Sequence, residues 1–358
     1  MSKHEQWEWQ EPGTTWKGVG LYHVTLTVPS REPLLGRLVI PDHDAKNASV
    51  ERTVLGDALL DYLLSVQKYH PELQILHFCL MPDHLHAVWY VTRPMHSGIL
   101  SVVRGFWQAT KQLGRAASMM ASSISPNGIR DNYQEEKNSL KATADTLRQQ
   151  LGDAAYYHLS PIFTEMPFVR PMGQRRQLQA TIRYIDMNPQ RLAMKKMMPE
   201  YFCVQEGIKI AGRTYRGVGN IALLQATRYE PVHVRSIWVD DAERHGDNQR
   251  LRDYMNGCVL AAREGTVMVS PFISPKEKDV MEVLLKEGHS FVYIADNGFR
   301  DYYKPQDTLF DAVATKRVLI LSPWDYEEER KHVTRAECVA MNKMAEEICG
   351  ELNSKIEI

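Results

Sequence analysis

Apolar and polar side chains alternate over 20–28, from Gly20 to Val28. Successive strand residues face opposite sides, so this segment reads as a half-buried strand. A second strand is predicted over 36–40, stopped by Pro41. Over 54–69, Leu55, Leu59, Tyr62, Leu63 and Val66 recur at helical spacing, and Pro71 lies just beyond. Strands are then predicted over 73–80 and 84–91, linked only by Met81-Pro82-Asp83, and so short a link makes them antiparallel neighbours. A helix over 98–113 carries Ile99, Val103, Phe106 and Thr110 on one side. The stretch 116–153 is poor in large apolar residues and reads as a loop followed by a polar helix over 134–150. A strand over 163–169 and a helix bearing Leu178, Ile182 and Ile185 complete this part. Strands and helices alternate without strict repetition, which predicts an α+β fold: an antiparallel sheet with flanking helices.

After about 228 the pattern changes to strand, helix, strand. Strands are predicted over 232–239, 266–270, 290–295 and 317–322, and helices over 249–263 and 275–286, with another starting at Thr334. Ser274-Pro275-Lys276-Glu277 and Thr334-Arg335-Ala336-Glu337 are capping boxes, and Gly265 and Gly288 follow helix ends. This alternation predicts a smaller α/β domain with a mostly parallel sheet. The domains expected are therefore 1–228, with a polar insertion at about 116–156, and 229–358. A length of 358 residues also favours two domains.

Composition narrows the class. Hydrophobic residues make up 44% and charged residues 24%, the proportions of a globular protein with sizeable cores. No apolar run approaches the ~20 residues needed to span a bilayer, and the first residues lack a basic-then-apolar signal pattern, so a cytoplasmic, membrane-free protein is expected. The five cysteines are scattered and form no Cys-x-x-Cys pair, which argues against a disulfide framework or a thiolate zinc site. A net charge of -1 excludes a chain that is basic over its whole surface. Locally, however, ten Lys and Arg face three Asp and Glu between Arg170 and Arg216, the electrostatic footprint of phosphate-backbone binding.

Two short motifs carry chemistry. In His84-Leu85-His86 the strand period points both imidazoles one way and Leu85 the other, a metal-ligand spacing. In Arg183-Tyr184-Ile185-Asp186-Met187-Asn188-Pro189-Gln190-Arg191, Tyr184 and Asn188 are four apart, so on a helix a phenol and a carboxamide project together while Ile182 and Ile185 occupy another face. Pro189 disfavours helical geometry at Asn188, which predicts a helix end there.

Pro82-Asp83-His84-Leu85-His86 resembles the histidine-hydrophobic-histidine (HUH) signature of single-tyrosine transposases, and Tyr184-Ile185-x-x-Asn188-Pro189-x-Arg191 resembles the tyrosine helix of their REP-associated branch. The resemblance covers about residues 16–225 and includes the first strand. Asp83 departs from it, standing where family members commonly have Asn. So do the polar insertion and the added second domain. The resemblance implies a ferredoxin-like HUH domain that acts on single-stranded or hairpin DNA as a homodimer, with a monomer as the alternative. Residues 265–274 and 318–323, each ending a strand in Ser-Pro, resemble the Rossmann-like domains of the DNA-processing protein A type. Strand carboxyl ends are where such sheets bind ligands, but neither Gly-x-Gly-x-x-Gly nor Gly-Lys-Ser/Thr occurs, so the role of this domain stays open.

Strand transfer would require a nucleophile and stabilisation of charge at phosphorus. Tyr184 is the candidate nucleophile. A free phenol has a pKa near ~10, so its activation at neutral pH is worth up to ~4 kcal/mol. His84, His86 and Asn188 would offer three neutral ligands to a divalent metal, leaving its full charge for the phosphate. Imidazoles alone would favour zinc, whereas the reaction type and the resemblance favour magnesium or manganese. His23, Lys111, Arg183 and Arg191 are candidate DNA contacts. The expected function is metal-dependent cleavage and transfer of single-stranded DNA through a 5′-phosphotyrosyl intermediate. Two alternatives stand beside it: a domesticated hairpin-DNA-binding protein of the same fold without transposition, and an unrelated His-x-His metalloenzyme acting on a small molecule through its carboxyl-terminal half.

Overall fold

A computed structural model describes residues 19–120, 133–157, 162–163, 167–173, 176–246, 248–300, 303–328, 330 and 332–356. The chain divides into two compact units, Met1–Ala193 and Met194–Ile358.

The first unit is built on a four-stranded antiparallel sheet. Its strands are β1 (Gly20–Thr27), β4 (Leu73–Met81), β5 (His84–Val91) and β6 (Phe168–Met172), in the order β4-β5-β1-β6. A separate ribbon pairs β2 (Gly36–Val39) with β3 (Ser49–Arg52). Burial alternates residue by residue along β1: Tyr22, Val24 and Leu26 are buried, while His23, Thr25 and Thr27 are only partly so. The buried parity joins Leu85, Ala87, Trp89 and Val91 of β5 in one core. That core is covered by α1 (Val54–Tyr69) and α2 (Ile99–Met120), and α3 (Tyr133–Tyr157) packs on both. Thr53 caps α1 by accepting the Gly56 amide at 3.1 Å. The polar helix expected over 134–150 is therefore present and longer, whereas 121–132 lies outside the described residues.

The opposite face of the sheet carries the other parity. Registers place Thr25 opposite His86, Thr27 opposite His84 and His23 opposite Arg170. Onto this side comes α4 (Gln177–Asp186), which packs against β4 and β5. The helix end predicted near Asn188 holds, and a further helix follows it. Helix α4 stops at Asp186, Met187 makes the turn, and α5 (Asn188–Met197) starts at once. Pro189 lies in the first turn of α5, where a missing N–H costs nothing and its fixed φ suits a helix start.

The second unit holds a six-stranded sheet in the order β7-β8-β12-β11-β10-β9. Strands β9 (Tyr229–Pro231), β10 (Val267–Ser270), β11 (Phe291–Ile294) and β12 (Val318–Ser322) run parallel. Helices α8 (Gln249–Arg263), α9 (Pro275–Glu287) and α10 (Asp307–Ala314) connect them and pack on the face bearing Met268, Phe291, Val318 and Ile320. Helix α11 (Arg335–Ser354) covers the reverse face, against Val269, Val292, Ile294, Leu319 and Leu321. The sequence-based expectation of an α/β unit with a mostly parallel sheet holds.

Three details differ from expectation. The hairpin β7 (Gln205–Ile210) and β8 (Arg213–Gly219), expected in the first domain, belongs to the second sheet, with β8 antiparallel to β12. Gly219 makes that junction: its φ is +117°, and a Cβ there would run into the Val318 carbonyl. The strand expected over 232–239 stops at Pro231, and α7 (Ser236–His245) replaces most of it. Helix α6 (Pro199–Phe202) and α10 were not anticipated.

A histidine and tyrosine cluster on the open face of the first sheet

Because β5 alternates, Leu85 goes to the core at 0% exposure while His84 and His86 share the opposite face, their ring centroids 4.8 Å apart. Each ring is held at Nδ1. Asp83 Oδ1 lies 2.6 Å from His84 Nδ1. Burial would raise the Asp83 carboxyl, but the His84 hydrogen bond and the charges of His84 and Arg31 outweigh it and hold Asp83 below the ordinary carboxylate range. At His86, Nδ1 is 2.9 Å from Thr25 Oγ1 and 3.1 Å from His23 Nε2. Burial, reinforced by the positive charge of Arg170, pushes the His23 pKa down to about 4.

Helix α4 brings Tyr184 over this patch. Its ring centroid is 5.5 Å from that of His86 and 6.4 Å from that of His23, both edge-on. The carboxyl end of α4 is pinned to the edge strand by His77 Nε2 and Asp186 Oδ1, 2.7 Å apart. Arg191, buried on α5, sets its guanidinium carbon 5.7 Å from the Tyr184 ring centroid.

Asn188 is 5% exposed, and its Nδ2 has no hydrogen-bond partner among the described residues. Amide oxygen and nitrogen exchange by a half-turn, so that end can present an oxygen. An unpartnered buried amide end has the donor chemistry that, with two imidazoles, suits a hard or borderline divalent cation. Among the described residues no group of three or more His, Cys, Asp or Glu is arranged to hold a metal ion. A third donor would therefore have to come from Asn188, and His23, close as it is, does not complete a three-histidine site.

The structure brings together His84, His86 and His23 on the sheet and Tyr184 and Arg191 on the helices. Arg183 is exposed on α4. Lys111 is elsewhere: it lies on α2, which covers the other side of the sheet, 7% exposed, with its ammonium over the Trp107 ring at 5.0 Å. Sequence analysis did not single out Thr25, His77 or Asp186 as site residues. The parity of His23-Val24-Thr25 put Thr25 on the histidine side, but its pairing with His86 needed the register.

In the second unit the Ser-Pro strand ends are occupied by the fold itself. Ser270 Oγ donates to Val232 O (2.7 Å) and accepts Phe272 N (3.0 Å). Ser322 Oγ donates to Asn297 O (2.9 Å) and accepts Trp324 N (3.2 Å). These hydroxyls tie each strand to the next loop. No helix among the described residues is long and apolar enough to cross a membrane.

No family model and no curated protein matches this chain. Among solved structures it is similar to a REP-associated tyrosine transposase bound to a REP hairpin, at 13% identity and a TM-score of 0.27, over 50% of this chain and 72% of that one. It is also similar to a protein described as a candidate transposase of Deinococcus radiodurans R1, at 11% identity and a TM-score of 0.19, over 49% of this chain and 96% of that one.

Proposed function

We propose that the first unit is a metal-dependent strand transferase acting on single-stranded DNA, with Tyr184 as nucleophile. One observation carries this reading: Tyr184 stands 5.5 Å, centroid to centroid, from His86, whose neighbour His84 faces the same way. His84, His86 and Asn188 would hold the ion. When bound, magnesium or manganese would supply positive charge to the non-bridging oxygens of the scissile phosphate. The Tyr184 oxygen attacks phosphorus, the bond from phosphorus to the 3′ oxygen breaks, and the phenol proton passes to solvent while the leaving oxygen takes one up. The product is a 5′-phosphotyrosyl bond and a free 3′ hydroxyl. Attack by another 3′ hydroxyl reverses the step and joins a new end.

Nearby groups favour this chemistry. Arg191 lies against the ring, where its charge favours the phenolate. Arg170 and Arg183 are exposed and carry the charge that a phosphate backbone attracts. A DNA hairpin is the substrate form tested first, since the REP-associated relative was solved bound to one.

The test incubates the full-length protein and Mn²⁺ with end-labelled hairpin oligonucleotides taken from DNA flanking its gene. A covalent adduct that survives denaturing electrophoresis, and disappears with chelator or in Tyr184→Phe, is the expected result. An adduct that persists in Tyr184→Phe would refute the assignment. Tight binding without any adduct would favour a hairpin-binding protein without transfer activity.

A further inference from the structure

Two imidazoles of the cluster are anchored in chemically different ways. His84 leans on a carboxylate, and Asp83 is itself 3.4 Å from Arg31 Nη1. His86 leans on two uncharged partners from β1, Thr25 Oγ1 and His23 Nε2, at one and the same nitrogen. A neutral imidazole has one N–H and one lone pair. If Nδ1 carries the lone pair, two donors compete for it and the ring offers an N–H to the tyrosine side. If Nδ1 carries the hydrogen, one N–H bridges two acceptors and the lone pair sits on Nε2. Only the second arrangement makes His86 a ligand, and it requires His23 to present a bare Nε2.

We infer that His23, seconded by Thr25, is a positioning residue that fixes the Nδ1–H tautomer of His86 and so aims His86 Nε2 at the cation, a role that rests on the strand-transferase reading above. The failure of the three histidines to form one metal-binding group among the described residues agrees. The division of labour has a chemical consequence. The carboxylate at His84 strengthens that ligand, whereas the Thr25 and His23 contacts at His86 set the orientation of that ring.

The test reads metal binding without turnover. Free Mn²⁺ is measured by electron paramagnetic resonance in titrations of the full-length protein and its His23→Ala, His23→Gln, Thr25→Val and His84→Ala variants. Loss of such a backing group typically weakens metal affinity about 10- to 100-fold, which is the expectation for His23→Ala. His23→Gln, which keeps an acceptor, should recover most of the loss, and Thr25→Val should fall between the two. In the metal-free wild-type protein, ¹⁵N shifts should show His86 protonated at Nδ1. Adduct formation by His23→Ala should return towards wild type at saturating Mn²⁺.

The inference is overturned if His23→Ala is folded and binds Mn²⁺ as wild type does, if His86 carries its proton on Nε2, or if lost activity is not restored by excess metal. The last outcome would instead make His23 a proton carrier for Tyr184. Should His23→Ala fail to fold, His23→Gln and the wild-type tautomer still decide. Mn²⁺ binding that depends on His84 but not on His23 defeats this inference alone. No Mn²⁺ binding by wild type, with no adduct, defeats the strand-transferase reading as well.

Discussion

His77 and Asp186 join the edge strand of the first sheet to the last residue of the tyrosine helix, with 2.7 Å between Nε2 and Oδ1. Both side chains are partly exposed, at 29% and 56%, so the pair sits where water screens it. Removing it by Asp186→Ala should change unfolding free energy by less than about 1 kcal/mol. Its effect on the reaction should be larger, because the pair sets where α4 ends relative to the histidines. We expect about a tenfold slower formation of the Tyr184 adduct, with melting temperature nearly unchanged. Quenched-flow gels beside a thermal melt would check both.

Asn188 makes an opposite prediction. Its buried Nδ2 lacks a partner among the described residues, a condition that costs about 1–3 kcal/mol. Asn188→Ala removes that cost while opening a small void, so metal-free stability should stay within about 1 kcal/mol of wild type. Metal-linked stability should not. Manganese at a hundred times its dissociation constant stabilises a one-site protein by about 2.7 kcal/mol, and the variant should lose most of that gain in urea titrations with and without Mn²⁺.

The second unit depends on a buried carboxylate. Glu277, 2% exposed, accepts the amides of Val234 (3.0 Å), Ile273 (2.9 Å) and Ser274 (3.0 Å). It thereby fastens the loops after β9 and β10 to the start of α9. Glu277→Ala strands three donors and should cost about 3 kcal/mol or more, while Glu277→Gln, which retains one acceptor oxygen, should cost roughly half as much. Calorimetry on the full chain measures both.

Thiol chemistry separates exposed from buried positions. Cys203 is exposed, whereas burial pushes the Cys258 pKa up to about 11 and that of Cys349 up to about 12. Thiolate is the reactive form, so at pH 8 roughly a thousandth or less of the two buried groups is ionised. Iodoacetamide at pH 8 should label Cys203 within minutes and spare Cys258 and Cys349 until the protein is unfolded. Any labelling of the folded buried pair should rise with pH, about tenfold per unit. Peptide mass spectrometry distinguishes the sites.

Much of the site was legible because its parts obey local periods. Alternation in β5 placed His84 and His86 on one side, and alternation in β1 placed His23 with Thr25. Four-residue spacing puts Tyr184 and Asn188 on two successive helices, since α4 ends at Asp186 and Asn188 opens α5. Features set by distant pairing were not legible. The β7–β8 hairpin follows the first unit in sequence, and only its bonds to β12 assign it to the other sheet. The segment 232–239 has strand-like alternation, yet its last backbone bond to β10 is that of the Val232 amide to Val269 O, at 3.0 Å, and α7 begins soon after. Lys111 lies at a helical position whose polarity suggested solvent, but it is buried, with its ammonium over the Trp107 ring.

The β8–β12 pairing also sets a timetable for synthesis. Every element of the histidine and tyrosine cluster has been made once Arg191 is added, whereas β8, made soon afterwards, must wait for β12, the last strand of its sheet. Until then β8 lacks that neighbour, and edges of this kind recruit other chains. A stalled or truncated chain lacking 318–322 should therefore aggregate through the β7–β8 hairpin, even though the cluster on the first sheet is already complete.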